Sequence, residues 1–155
     1  MKQYLIAVSA ALLLGATAAY AEGIAITPAG KTPTVIGNAK NFSGQAAVDI
    51  KAAGNSTRFG SVGQVDFMPG ARTAWHTHPA GQLLIITEGR GWVQEEGRPV
   101  REIKAGDVVW IEQGVNHWHG AAKDSRMSHI AIAYMRDGKA VDWKELVSDD
   151  HYNSR

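Results

Sequence analysis

The chain has 155 residues, 20% charged and 45% apolar. That size and balance fit one folded globular domain and exclude a disordered chain or a coiled coil. The formal net charge is +1, with no run of like charges, so nothing marks a nucleic-acid or anionic membrane surface. Cysteine is absent, which excludes disulfides, thiolate metal sites and a cysteine nucleophile.

In chain order, Lys2 is followed by an apolar stretch, Tyr4 to Leu14, and then by small residues ending Ala19-Tyr20-Ala21. This is the pattern of a secretory signal peptide cleaved after Ala21. The apolar stretch is too short to stay in a bilayer as a spanning helix. The expected mature protein is periplasmic or secreted and has no membrane contact after cleavage. Lys2 is the only charge removed, so 15 basic residues would then balance 15 acidic ones. Residues 22–41, with Pro28 and Pro33, read as an extended arm, and residues 42–155 as the domain.

Within the domain, short apolar or alternating runs are separated by turn residues every 8 to 12 positions. Strands are expected at Val62–Phe67, Thr73–His78 and Gln82–Thr87, with a turn at Glu88-Gly89 before Trp92–Glu95. Further strands follow at Val100–Ile103, Val108–Ile111, Val115–His119 and Met127–Tyr134. Asp137-Gly138 is a strong hairpin signal. Val141, Trp143, Glu145 and Val147 alternate as a last strand, and Ser148-Asp149-Asp150 is placed to cap one turn of helix. Many short strands with regular turns indicate an all-β antiparallel sandwich or barrel.

Five of the six histidines fall in three of these strands. His76 and His78 are two apart, which in a strand puts both imidazoles on one face. His117 and His119 repeat the spacing, and Gln82 follows His78 after a Pro-Ala-Gly turn. Imidazole nitrogens and an amide oxygen are suitable ligands for a divalent first-row metal. In the strand of His129, alternation puts Ala131 and Ala133 on the same face, as if space beside that imidazole were kept open. The five tryptophans suit a core or an interface as well as a pocket. Arg72, Arg90 and Arg98 read as solvated.

These residues carry a resemblance. Gly70-Ala-Arg-Thr-Ala-Trp-His76-Thr-His78-Pro-Ala-Gly-Gln82, then six residues to Gly89, is similar to the first cupin motif, with Gln82 where Glu is usual. Gly106, Gly114 and His117 resemble the second motif, with Glu112 in place of its Pro and Ala121 in place of its Asn. The stretch between them, Arg90 to Ala105, is short, as in small bacterial single-domain cupins. The resemblance implies an antiparallel jelly-roll (cupin) β-barrel with metal ligands His76, His78, Gln82 and His117.

Over roughly Val62 to Tyr152 the chain is similar to small bacterial cupins that include manganese-dependent hydroxynitrile lyases. Pro69-Gly-Ala-Arg-Thr-Ala-Trp-His-Thr-His-Pro and His117-Trp-His-Gly-Ala are among the matching segments. That resemblance implies Mn(II), with Fe(II) next, and an acid/base role for His129. Thr73 and His119 match further active-site positions. A Gln that those lyases carry four residues after the acid/base His is Ala133 here, which leaves room in the pocket.

Three neutral imidazoles and a neutral amide would leave a divalent charge uncompensated, which favours Lewis-acid chemistry over high-valent oxygen chemistry. The leading expectation is a lyase acting on a small hydroxylated or carbonyl substrate, such as a cyanohydrin. An iron or manganese dioxygenase with the same ligands is the second. A periplasmic metal or small-molecule binder is the third. Assembly as a homodimer or homotetramer is expected, with the arm adding to a neighbour's sheet edge.

Overall fold

The computed structural model describes residues 23–55 and 60–154. The expected signal peptide and its cleavage site lie outside the described residues. Two antiparallel sheets curl around one interior. The first joins β1 (Thr34–Ile36), β3 (Ala46–Ala52), β4 (Gly60–Phe67), β11 (Met127–Tyr134), the first half of β7 (Gln82–Glu95) and β9 (Val108–Ile111). The second joins β8 (Arg101–Lys104), the other half of β7 and β10 (His117–Ala121). It continues to β5 (Arg72–Thr73) and β2 (Phe42–Ser43), and to β6 (His76–Thr77) and β12 (Asp142–Trp143). A five-residue helix, α1 (Asp149–Asn153), ends the chain.

Alternation in the strands supplies the core. Val65 and Phe67 from β4, Leu84 and Ile86 from β7, and Val109 and Ile111 from β9 meet between the sheets. A second cluster, of Trp75, Trp118, Val147 and Tyr152, lies on the other side of β10. There the C-terminal segment covers Trp118, which is fully buried although it points away from the barrel interior.

Three expectations change. Gln82–Glu95 is one strand of 14 residues, not two strands around a turn. At Ser128/His129 its register with β11 shifts, so that Ser128 faces Glu88, His129 faces Ile86, and Thr87 is the extra residue of a bulge. Gly89, with φ +68°, turns the strand from one sheet into the other. The run Thr73–His78 is broken into β5 and β6, both paired with β10. The last strand, expected through Val141, Trp143, Glu145 and Val147, is reduced to Asp142–Trp143. Apart from these changes, Thr34–Ile36 in the N-terminal arm pairs with β3 of its own chain. The hairpin at Asp137-Gly138 forms as expected, with both residues at positive φ and Arg136 and Lys139 exchanging backbone hydrogen bonds at 3.0 and 2.9 Å. Ser148 caps α1, its hydroxyl accepting from the His151 N–H at 3.1 Å.

Candidate metal centre

The antiparallel pairing of β6 and β10 sets His76 opposite His117, with ring centroids 4.1 Å apart. His78 lies just beyond β6 and His119 two residues along β10. Their rings are 5.1 and 5.3 Å from that of His76. Gln82 opens β7 and brings its Oε1 to 3.3 Å from His117 Nε2. β11 supplies His129, whose Nε2 is 3.3 Å from His119 Nδ1. Every one of these side chains is buried. The ring nitrogens of His76, His117 and His119 lie within 4.8 Å of one another. The residues named from sequence therefore gather at one place, and His119 stands inside the imidazole cluster.

Backbone carbonyls orient three of the rings. His76 Nδ1 donates to Ala74 O at 2.9 Å, His117 Nδ1 to Val115 O at 2.9 Å, and His78 Nδ1 to Ala140 O at 2.6 Å. A carbonyl only accepts, so each Nδ1 carries the proton and each Nε2 keeps its lone pair. That tautomer is what an Nε2 metal ligand requires. Burial pushes His117 and His129 down to about 4, and lowers His76, His78 and His119 as well. Protons are thus refused where a cation would be accepted. His78 Nε2 and His119 Nε2 are buried without a hydrogen-bond partner. The donor set, imidazole nitrogens with an amide oxygen, fits a divalent first-row ion.

Beside the cluster is a cavity of about 150 Å³. Phe42, Val65, Phe67 and Trp143 line it together with Ala131 and Ala133, so the open face expected beside His129 is present. Thr73 also lines it, its Oγ1 accepting from the His119 backbone N–H at 3.2 Å. Among the described residues that line it there is no carboxylate, lysine or arginine. A wider groove of about 450 Å³, rimmed by charged residues such as Arg98 and Glu112, also reaches His117.

Arg72 corrects an expectation. It is only 5% exposed and donates to Val147 O and Asp149 instead of facing solvent. Arg98 is exposed, and Arg90 is half-buried against Asp124 at 2.5 Å. The sequence reading also missed the Ala140 carbonyl and singled out no one tryptophan for the pocket, which takes Trp143. Alternation of Val141 and Trp143 was the available signal for the latter.

Comparison with known proteins agrees with this architecture. The cupin domain family matches residues 63–133. The (R)-mandelonitrile lyase of Granulicella tundricola is 51% identical over 116 residues, which cover 75% of this chain and 88% of that protein. The crystal structure of a cupin-like protein from Thermotoga maritima matches with a TM-score of 0.73 at 41% identity, over 77% of this chain and 90% of that one. The polyketide cyclase RemF from Streptomyces resistomycificus shares the fold alone, with a TM-score of 0.60 at 16% identity over 78% of this chain and 84% of that one. With its motif histidines and Gln82 converging inside the barrel, the chain belongs to the cupin family.

Proposed function

We propose that this protein is a metal-dependent lyase that splits a small cyanohydrin into a carbonyl compound and hydrogen cyanide. The observation that carries the reading is the His119–His129 pair, two buried neutral imidazoles 3.3 Å apart, beside a ligand cluster and a mostly apolar cavity. Similarity to a protein named (R)-mandelonitrile lyase supports it. In this reading His76, His78, Gln82 and His117 hold the ion, Mn(II) first and Fe(II) next. Such an ion would supply Lewis-acid polarisation of the substrate oxygen with no ligand charge to weaken it.

The residues do the rest. His129, kept neutral by burial, takes the proton of the substrate hydroxyl. The bond from the carbinol carbon to the nitrile carbon breaks, its electron pair leaves on cyanide, and the hydroxyl oxygen becomes the carbonyl oxygen. The proton held by the His119–His129 pair is then returned to cyanide. Phe67, 5.4 Å from the His129 ring, and the small Ala131 and Ala133 keep water from the pair while leaving room for the substrate body.

The test compares the manganese-loaded wild type with His129→Ala under anaerobic conditions, measuring cyanide release from mandelonitrile and bound metal. The variant should keep its metal and lose turnover by about 100-fold or more, the scale of a lost general base. Full activity in the variant would refute the mechanism. In a parallel aerobic assay, oxygen consumption without cyanide release by the wild type would favour the dioxygenase reading.

A further inference from the structure

From the segment 140–147, Ala140, Val141 and Trp143 line the cavity beside the imidazole cluster. Ala140 O holds His78 Nδ1 at 2.6 Å, and the Trp143 ring lies 4.8 Å from His76 and 5.7 Å from Phe42. Trp143 pairs with His76 in the β12–β6 ladder. Next to it, Lys144 N–H donates to Trp75 O and Trp75 N–H to Glu145 O, both at 2.9 Å. One side chain fastens the far end of this segment. The Arg72 Nε and Nη2 donate to Val147 O at 3.2 and 2.8 Å, Nη2 to Asp149 at 2.6 Å, and Nη1 to Gly70 O at 3.3 Å. Its guanidinium lies 4.5 Å over the ring of Tyr152, whose hydroxyl donates to Ala121 O at 2.6 Å. Arg72 is also the neighbour of Thr73, so the clamp and the pocket wall share β5.

A buried charge is costly unless several acceptors satisfy it. Here they come chiefly from a segment some 75 residues away, so seating the guanidinium and seating the segment are one event. We propose that residues 140–147 are a strap over the metal pocket, and that Arg72 is a positioning residue which, through this strap, holds the His78 imidazole in its ligating orientation. The inference rests on the metal reading above and adds the element that preorganises the site. Binding and ordering are reciprocal. If a seated strap raises metal affinity, bound metal must hold the strap down by the same factor.

The experiment has two arms, both with the purified full chain and Mn(II) alone. In the first, Mn(II) titration followed by electron paramagnetic resonance compares wild type, Arg72→Lys and Arg72→Gln. Affinity should fall by about tenfold or more in Arg72→Gln, the usual effect of losing a group that orients a ligand. Arg72→Lys should restore little of it, because an ammonium cannot span the same fork of acceptors. In the second arm, hydrogen exchange of the wild type is followed with and without Mn(II). Protection of the amides from Asp142 to Glu145, the Lys144 N–H above all, should rise more than that of β3. Unchanged affinity in a folded Arg72→Gln, or unchanged strap protection on metal binding, overturns the inference. The second arm decides alone if that variant does not fold. A wild type that fails to bind Mn(II) removes the metal reading and the inference with it. A wild type that binds while the strap stays indifferent removes only the inference.

Discussion

Three imidazoles of the candidate metal centre get their tautomer from the backbone, because Nδ1 is spent on a carbonyl in His76, His78 and His117. For His76 and His117 that carbonyl is two residues upstream, so the His-x-His spacing was enough to reveal the shared face. For His78 the carbonyl comes from Ala140, 62 residues away, and no local pattern could announce it. Arg72 failed for the same reason: an arginine in a polar stretch reads as solvated until its distant acceptors are in place. Thr73 carries a testable consequence at this scale. Its Oγ1 is the acceptor for the buried His119 N–H, at 3.2 Å. Thr73→Val keeps the shape and orphans that donor, which should cost about 1–2 kcal/mol in chemical unfolding. Thr73→Ser should recover most of it, and equal losses in both variants would show that the hydroxyl is not the cause.

Among the elements, β7 shows what periodicity misses. A Glu-Gly pair between two apolar runs carries the same local signature whether the chain reverses or merely bends. The outcome was set by β11 alongside, whose register skips Thr87 and leaves no room for a turn. Gly89 then occupies left-handed backbone against β11, where an added Cβ would collide with the Arg126 carbonyl oxygen. Gly89→Ala should therefore lose at least about 3 kcal/mol, since strained φ and a backbone clash act together. Gly97, also at positive φ, has open space around the same position. Gly97→Ala should show the φ penalty alone, and similar losses for the two variants in urea unfolding would contradict the close-approach argument. The strands Val108–Ile111 and Met127–Tyr134, the Asp137-Gly138 hairpin and the capped α1 were legible, because their signals lie within a few adjacent residues.

For the molecule as a whole, the cost of the site lies in burying five imidazoles together. Burial is the leading cause of each lowered pKa, with mutual repulsion adding to it in His76, His117 and His119. At pH 7.5 the native and unfolded chains are both neutral at these groups. As pH falls below the ordinary 6.5, the unfolded chain takes up protons that the native metal-free protein refuses, down to about 4 for His117 and His129. Stability must then fall by about 1.4 kcal/mol per pH unit for each of these two imidazoles in that window, and His76, His78 and His119 act in the same direction. The urea midpoint of metal-free protein should drop steeply between pH 6.5 and 4 and stay level above 7, and a flat profile would refute the neutral cluster. The sequence alone pointed to the antiparallel barrel and to the histidines and Gln82 that gather in the candidate site. Strand alternation and the His-x-His and His-to-Gln spacings are local geometry, readable from order. Only the tertiary structure decided that His129 Nε2 meets His119 Nδ1, that Trp143 lines the pocket and that Arg72 is buried. Each depends on strands distant in sequence meeting at a particular register, and burial sets which polar groups must find partners there.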